Sequence, residues 1–290
     1  MNARIRAVFD DAGARGWLHA VALDRPDDTV DLDPDVVVPM GSVYKLPLLA
    51  AFCRLVDDQQ LDPREQVTLQ PADRIAGPTG LSILMDPVTM SLRDLAVCMM
   101  TLSDNASADA LLHKVGVNRL AELLLTFGLE HTRVRRGAAG NLGELLRRAG
   151  TDDLDAAFAV LADNDRTDPA GVYDAATMSA ASARDMTKLL AELWSGRLLS
   201  AEQTAFAQKV MEQQVFAHRI AAGFPHDGVR IAGKTGTFGA LRHEVGVVTL
   251  PAGDAYAIAV FTHAARGDRR LPRVDAAIGE AARLAVDHLR

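Results

Sequence analysis

The chain has 290 residues, of which 49% are hydrophobic and 24% are charged, and its net charge is −7. These values are typical of a globular protein, and the length is sufficient for one large domain or two closely packed ones. The negative charge argues against nucleic acid as a partner. No segment reaches the roughly 18 consecutive apolar residues that a membrane span requires.

The N-terminal segment predicts a helix followed by two strands. Asn2 is placed to cap a helix over residues 2–13, which has one apolar face and ends at a glycine. An apolar run at 17–24 predicts a buried strand. After a turn, a short second strand is predicted at 29–32. The next apolar pattern, over 45–56, has helical periodicity.

Helical patterns dominate the middle of the chain, and strands return after residue 220. The helical patterns cover 92–102, 107–115, 118–127, 182–194 and 201–211. Later strands are predicted at 229–237, 245–250 and 256–263, and a final helix with one apolar stripe at 272–289.

Strands at both ends of the chain, with helices between them, predict an α+β fold. The two chain ends would form an antiparallel sheet flanked by the terminal helices, and an all-helical region would be inserted. We expect residues 1–41 and 222–290 to form the sheet domain, and residues 42–221 to form a mainly helical domain. A cleft between them is the expected place for a ligand site.

Three short motifs follow one another along the chain: Ser42-Val43-Tyr44-Lys45, Ser103-Asp104-Asn105 and Lys234-Thr235-Gly236. A serine hydroxyl needs a base to become a nucleophile, and a lysine three residues later on a helix faces the same way. The second motif adds a hydroxyl for proton relay, and the third adds a cationic strand for an anionic substrate. Each motif alone is weak, because the first two could simply cap helices.

Lysine is rare in this chain, which makes its placement informative. Of 31 cationic side chains only five are lysine, and two of these stand in the motifs, at Lys45 and Lys234. Arginine keeps its proton in proteins, whereas a buried lysine can have its pKa lowered enough to act as a base. This explains Lys45 well, but a fixed cation at position 234 could equally be arginine.

In this order the motifs resemble those of penicillin-binding proteins and class A β-lactamases, and the resemblance covers nearly the whole chain. It implies a β-lactamase/transpeptidase-like fold of the α+β kind predicted above. It also implies that Ser42 is the nucleophile, and that Lys45 and Ser103 manage protons on the nucleophile and the leaving group. Asp104 is expected to support its loop rather than to react.

The resemblance also implies a set of substrate contacts. Asn105 would bind the amide side chain of the substrate, and Lys234 would bind its carboxylate. The backbone N–H groups of Ser42 and Thr237 would form the oxyanion hole, and Gly236 would let the strand approach the substrate closely.

Two kinds of contact remain open. The hydroxyls of Thr235 and Thr237 could add hydrogen bonds to the substrate. Arg242, on the facing side of the next turn, is a candidate second anion contact, and the alternative is a solvated hairpin arginine. The expected partner is therefore a small molecule or peptide that carries a carboxylate.

The sequence departs from class A β-lactamases where those enzymes carry the glutamate that activates the deacylating water. The lead-in over 132–136 resembles theirs, which places the glutamate position near 137–138. No glutamate stands there, and a longer, partly helical stretch over 141–162 follows before the resemblance resumes at Tyr173. Three carboxylates are conceivable replacement bases, although each could be an ordinary surface group. They are Glu144, Asp163 and Asp165.

Neither a metal nor an organic cofactor is expected, because the eight histidines lack metal-ligand spacing and there is no phosphate-binding loop. Cys53 and Cys98 lie in apolar helical stretches, so buried free thiols are expected, although the resemblance leaves one disulfide open. We expect a monomer. The N-terminus has no apolar signal segment, so the protein is cytoplasmic if Met1 is its native start, and exported if a signal peptide was removed.

Three functions are open at this point. The overall resemblance favours a β-lactamase that forms an acyl-enzyme on Ser42 and uses a different water activator. The missing glutamate and the missing export signal favour a hydrolase or transacylase of another substrate, such as a D-Ala-D-Ala-type peptide or a small ester. The third is a non-catalytic penicillin-binding module, against which the intact motifs argue.

Overall fold

The computed structural model describes residues 1–163, 171 and 173–290. These described residues form ten α-helices and nine β-strands. In chain order they are α1 (Asn2–Asp11), β1 (Ala14–Ala22), β2 (Arg25–Leu32), β3 (Val38–Pro39), α2 (Lys45–Asp57), β4 (Gln66–Leu69), β5 (Val88–Ser91), α3 (Leu92–Thr101), α4 (Asn105–Val115), α5 (Val117–Thr126), α6 (Ala138–Ala149), α7 (Leu154–Leu161), β6 (Ala180–Ala181), α8 (Ala183–Trp194), α9 (Ala201–Glu212), β7 (Arg230–Phe238), β8 (Leu241–Thr249), β9 (Ala255–Ala264) and α10 (Pro272–Leu289).

Five strands form one antiparallel sheet in the order β2-β1-β9-β8-β7. β1 lies between its sequence neighbour β2 and β9, in a register that runs from Ala14 opposite Ala264 to Ala22 opposite Tyr256. Two short ladders, β3 with β6 and β4 with β5, lie outside this sheet. The two chain ends therefore build one sheet, which confirms the predicted α+β fold.

Both faces of the central strands are buried, because side chains alternate across a strand and helices cover both sides. One face, which includes Leu18, Ile258 and Val260, packs against α1 and α10. The opposite face, which includes Trp17 and Phe261, packs against helices from the middle of the chain. The sheet strands thus come from 1–41 and 222–290, whereas the division of the chain into two domains stays a prediction.

α2 runs through the core of the helical part, and ten of its thirteen residues are buried. A helix that is apolar on all sides belongs in a core rather than at a surface. Cys53 of α2 and Cys98 of α3 are free thiols; Cys53 is fully buried, as expected, whereas Cys98 is only partly buried. Among the described residues, no helix combines the length and the apolar character needed to cross a membrane.

Two elements differ from the sequence prediction in an informative way. α1 begins at Asn2 itself, and Met1 takes the cap position without a side-chain hydrogen bond, so the predicted capping role of Asn2 is wrong. β8 begins at Leu241 rather than at residue 245. Three polar residues follow Leu241 and suggested a turn, but all of them are buried inside the sheet: Arg242, His243 and Glu244.

Candidate active site

The first motif lies where β3 leads into α2. Gly41 has a φ of +48°, a left-handed conformation that residues with a side chain rarely adopt. The turn places Ser42 in a short 3-10 segment, Gly41–Tyr44, and makes Lys45 the first residue of α2. Ser42 and Lys45 are therefore one turn apart at the N-terminal end of a buried helix, where backbone N–H groups favour developing negative charge.

Lys45 is fully buried, and oxygen atoms surround its amine. Nζ donates to the backbone oxygen of Ser103 at 2.6 Å and to Asn105 Oδ1 at 2.8 Å, and it lies 3.3 Å from Ser103 Oγ. Burial lowers the pKa of Lys45 from 10.5 to about 7, against the smaller opposing effect of Asp104 and Asp109. A lysine with this pKa is a competent base near neutral pH.

Ser103 has a φ of +55°, a backbone conformation that costs energy for a residue with a side chain and that clusters at functional sites. Asp104 holds this conformation by capping α4, where it accepts from the N–H of Ser107 at 2.9 Å. The same carboxylate accepts from the hydroxyl of Ser82 at 2.7 Å and from its N–H at 3.1 Å. Asp104 therefore supports its loop, as expected from the sequence.

Lys234 in β7 provides a second fully buried amine. Its Nζ donates to Ser103 Oγ at 2.9 Å and to the backbone oxygen of Thr235 at 2.8 Å. Burial and the nearby amine of Lys45 hold the pKa of Lys234 well below its usual range. The Ser103 hydroxyl thus lies between two amines, and because both of its lone pairs can accept from them, its hydrogen is free to be donated.

β7 passes very close to the segment that carries Ser42. A Cβ on Gly236 would lie 2.6 Å from the backbone oxygen of Met40 and 2.9 Å from Val43 Cγ2. A Cβ on Gly41 would lie 3.2 Å from the backbone nitrogen of Thr237. Glycine permits this approach, and it brings the backbone of Thr237 beside the nucleophile segment, as the predicted oxyanion hole requires.

Sequence reasoning missed an arginine that holds this strand. Arg219 is buried, and its guanidinium donates to the backbone oxygens of Gly236 at 2.9 Å and His243 at 2.6 Å. It also donates to Thr237 Oγ1 at 2.7 Å, and Asp275 of α10 accepts from its Nε at 2.7 Å. No sequence motif marks Arg219, because its role depends on the fold that brings the loop before β7 against the strand.

A second, partly buried network holds the backbone of Thr235. Gln214 accepts from the N–H of Thr235 at 2.6 Å and donates to Glu244 Oε1 at 2.8 Å. The other oxygen of Glu244 accepts from the N–H of Ile220 at 2.6 Å. These hydrogen bonds hold the backbone of the Lys234-Thr235-Gly236 motif in place. No sequence motif marks the side chains of Gln214 and Glu244 that make them.

Arg242 is not the solvated hairpin arginine considered from the sequence, because only 3% of it is exposed. Its terminal nitrogens donate to the backbone oxygens of Gly239 at 2.5 Å and Leu241 at 2.9 Å. They also donate to those of Asp268 at 2.9 Å and Arg269 at 3.2 Å. Because these bonds tie the β7–β8 turn to the loop before α10, the geometry does not support the anion contact predicted for Arg242.

The stretch after 132–136, where the resemblance predicts the glutamate position of class A enzymes, contains α6 and α7. Glu144 of α6 accepts from Arg147 and Arg148, at 2.6 Å each, and pairs with Arg136 at 3.3 Å. The hydrogen bonds from Arg147 and Arg148 lower the pKa of Glu144 to about 2. A carboxylate held in this way is a poor proton acceptor, so the geometry does not support Glu144 as a deacylating base.

The other two carboxylates considered as bases differ in position. Asp163 is exposed just beyond the end of α7, and Asp165 lies outside the described residues. α6 and α7 pack on each other and on the end of β7 through Leu145, Ala157, Leu161, Tyr173 and Phe238. This part of the chain is therefore a packed helix pair, which we call the α6–α7 pair.

The arrangement is suited to acid–base and acyl-transfer chemistry. It combines a serine at a helix start, a buried lysine of lowered pKa one turn later, and a hydroxyl between two amines. Within residues 1–163, 171 and 173–290, no group of three or more His, Cys, Asp or Glu side chains is placed to hold a metal ion. The catalytic and binding roles of the individual residues stay predictions.

The sheet, the inserted helices and the three motifs define a protein of the β-lactamase/transpeptidase fold. The chain belongs to the β-lactamase enzyme family, whose family model matches residues 1–289. It is 29% identical to the "Beta-lactamase regulatory protein BlaB" of Streptomyces cacaoi over 280 residues, which cover 91% of this chain and 89% of that protein.

Solved structures of similar fold cover almost the whole chain. The β-lactamase from Sphaerobacter thermophilus has a TM-score of 0.79 at 24% identity, over 99% of this chain and 95% of that one. A mutant of PBP-A, described as an acyl-enzyme complex with penicillin G, has a TM-score of 0.77 at 21% identity. That similarity spans 99% of this chain and 96% of the PBP-A chain.

Proposed function

We propose that the protein is a serine hydrolase that forms an acyl-enzyme on Ser42 with β-lactams or with related amides and esters. The observation that carries this proposal is the Ser103 hydroxyl, which lies 3.3 Å from the amine of Lys45 and 2.9 Å from that of Lys234. Membership of the β-lactamase enzyme family supports it. The fold shared with PBP-A, of which a mutant is described as an acyl-enzyme with penicillin G, supports it as well.

The chemical steps follow from the positions of these groups. Lys45, whose pKa is lowered to about 7, accepts the proton of Ser42 as Oγ attacks the substrate carbonyl. The backbone N–H groups of Ser42 and Thr237 stabilise the charge on the carbonyl oxygen. Ser103 donates its proton to the leaving group and receives the proton that Lys45 carries.

A carboxylate on the substrate completes the electrostatics of the site. Lys234 loses solvation in the folded protein, and an anion bound beside it would raise its pKa and restore its charge. Asn105, Thr235, Gly236 and Thr237 are the further proposed contacts. The substrate is therefore a small molecule or peptide with a carboxylate, and the protein acts as a monomer.

Two alternatives have an observation in their favour. Neither residue at 137–138 carries a carboxylate, which favours a D-Ala-D-Ala-type peptidase, esterase or transacylase that turns over β-lactams slowly. The similarity to BlaB, which is named a β-lactamase regulatory protein, favours a penicillin-binding module without turnover.

Intact-mass spectrometry with a penicillin and a chromogenic cephalosporin tests the proposal. We expect an adduct on the wild type, none on Ser42→Ala, and wild-type labelling of Ser195→Ala, which alters an exposed serine just after the end of α8. A persistent adduct points to a peptidase, esterase or transacylase, and rapid ring opening points to a β-lactamase. Binding without any adduct on the wild type would overturn the proposal in favour of the binding module.

A further inference from the structure

Strand β7 is the last strand at one side of the central sheet. Its pairing with β8 is unbroken over 230–238. In such a ladder, alternate residues direct both backbone groups toward the partner strand, and the residues between them direct theirs away from it. The N–H of Thr235 points away from β8, because it donates to the side chain of Gln214. The N–H of Thr237, two residues later, therefore points away from β8 as well.

Side chains bind the outer edge of β7 at Thr235. Gln214 Oε1 accepts from the N–H of Thr235 at 2.6 Å, and Lys234 Nζ donates to the backbone oxygen of Thr235 at 2.8 Å. Both backbone groups of Thr235 are thus hydrogen-bonded before any substrate binds. Because the peptide units of a strand are linked, the orientation held at Thr235 also sets the direction of the next edge N–H, that of Thr237.

The amide of Gln214 makes these contacts in one orientation only. Its oxygen faces Thr235, and its Nε2 donates to Glu244 Oε1 at 2.8 Å. An amide has an acceptor on one side and a donor on the other, whereas both oxygens of a carboxylate accept. The carboxylate of Glu244 therefore determines that the oxygen of Gln214, and not its NH₂ group, faces the strand.

Glu244 is fully buried, and its second oxygen is also hydrogen-bonded. This oxygen accepts at 2.6 Å from the N–H of Ile220, the residue after Arg219. Burial raises the pKa of the Glu244 carboxyl, and the two N–H donors and the cations of Arg219 and Lys234 act against burial by favouring the charged form. One carboxylate thus supports both the loop that carries Arg219 and the side chain that holds Thr235.

The hydrogen bond between Gln214 and Glu244 lies directly against the backbone of β7. A Cβ on Gly233 would lie 2.9 Å from Glu244 Oε1 and 3.1 Å from Gln214 Nε2. Glycine leaves the space that these two side chains occupy, one residue before Lys234. A change in their hydrogen bond therefore acts on the strand itself.

We propose that Glu244 is a positioning residue for acylation, which acts through Gln214 to direct the N–H of Thr237 at the carbonyl oxygen of the substrate. A preorganised donor stabilises the developing charge only when it points at the position of the oxyanion. Glu244 acts through its hydrogen bonds to Gln214 and Ile220 and takes no part in proton transfer. The inference rests on the proposed acylation of Ser42 and on the proposed oxyanion hole.

Exchanging the amide and the carboxylate tests the inference. In Glu244→Gln, two amides face each other, and one NH₂ group must then face the N–H of either Thr235 or Ile220. In Gln214→Glu, two carboxylates face each other. In the double variant Gln214→Glu/Glu244→Gln every group has a partner again. The carboxylate at position 214 accepts from Thr235 and from the amide at position 244, whose oxygen accepts from Ile220.

We expect each single variant to slow acylation by a chromogenic cephalosporin about tenfold or more, and the double variant to acylate within about threefold of the wild type. Urea titration of each variant separates this effect from a loss of stability. Asp185→Asn is the matched control, since Asp185 is also a buried carboxylate and accepts from the N–H of His131 at 2.8 Å and from the Thr132 hydroxyl at 2.7 Å. It should lose stability but acylate at the wild-type rate.

The outcomes separate the two proposals. Single variants that acylate at the wild-type rate would overturn the inference, as would a double variant as slow as the slower single variant, and acylation of Ser42 would stand in both cases. The absence of any adduct on the wild type would remove the proposed function, and the inference with it. If the single variants fail to fold, Gln214→Ala, at a partly exposed position, replaces them. It should also acylate about tenfold more slowly, and a wild-type rate would overturn the inference.

Discussion

Burial sets the reactivity of Lys45 more than any ion pair does. Its amine donates to a backbone oxygen and to an amide oxygen, which solvate it without supplying a negative charge. The nearest carboxylates are engaged elsewhere, that of Asp104 with Ser82 and Ser107, so they raise the pKa of Lys45 only in part. The lysine therefore loses its proton at a pH where an exposed lysine keeps it.

The rate of acylation should depend on pH through Lys45. The folded-state pKa of about 7 lies below 10.5, so the neutral, basic form increases as pH rises through about 7, and the acylation rate should rise with it. Lys45→Arg places a permanent charge at the same position and should abolish acylation. Stopped-flow acylation by a chromogenic cephalosporin measures both effects, and a rate that is flat from about pH 5 to pH 9 would contradict the role of Lys45 as base.

The candidate residues that could be named from the sequence are those whose motifs are local in sequence. The motifs at Ser42, Lys45 and Ser103 are short, and the fold brings Lys45, Ser103 and Lys234 into hydrogen-bond contact. Arg219 was missed because its partners come from three separate elements.

The contact between β1 and α8 depends on an uncharged histidine. His19 Nδ1 lies 2.5 Å from Thr187 Oγ1, and its Nε2 lies 3.1 Å from a guanidinium nitrogen of Arg184. Asp31, at 3.5 Å from Nε2, is itself paired with Arg184. Since the guanidinium can only donate, the neutral ring accepts at Nε2 and donates from Nδ1 to Thr187. Burial has the largest effect on the pKa of His19, and together with the smaller effects of these charges it lowers that pKa to about 4.

The free energy of unfolding should therefore fall in mild acid. His19 has a folded pKa of about 4 against 6.5 when unfolded, so its contribution is complete above pH 6.5 and is lost as pH falls toward 4. Between about pH 7.5 and pH 5 the loss is about 2 kcal/mol. His19→Gln keeps a neutral polar group at this position. Its free energy of unfolding, measured by urea titration at the two pH values, should lack the part of the decrease in acid that His19 causes. An equal decrease in both proteins would contradict the assignment to His19.

Helices with a strong apolar periodicity could be predicted from the sequence. The bounds of β8 and of the α6–α7 pair could be predicted less well. α8 and α9 lie within a residue or two of their predicted bounds, because an apolar stripe repeats along each. The start of β8 was misplaced because Arg242 and Glu244 look like turn residues until the fold buries them. The α6–α7 pair was predicted only as a partly helical stretch, because its apolar contacts with Tyr173 and Phe238 are not local in sequence.

At the scale of the whole molecule, the last helix holds the third motif. Asp275 of α10 pairs with Arg219, whose guanidinium binds the backbone of Gly236. Gly279, one turn later on α10, has the backbone of Arg219 and Gly223 directly against it. The C-terminal helix thus acts on the active site from the far side of the sheet, through one buried arginine.

The variant Gly279→Ala should disturb this connection. Its Cβ would collide with the backbone oxygen of Arg219 and would lie 2.8 Å from the nitrogen of Gly223, which overpacks a site with no flexible side chain to yield. We expect a loss of about 2 kcal/mol in the free energy of unfolding and slower acylation. Gly143→Ala in α6 is the control, because a Cβ there meets nothing within 4 Å and should leave stability equal or better. Equal stability of the two variants would contradict the prediction.

The pairing of β1 with β9 also determines when the central sheet can be completed during synthesis. β1 and β2 are translated before the other strands of this sheet and form a two-stranded hairpin that is at best marginally stable, with one edge of β1 unpaired until Ala255–Ala264 has been translated. An unpaired edge is a template for wrong partners, so the chain is exposed to mispairing during this interval. Because Arg219 also waits for Asp275, the active site assembles only after translation has reached α10.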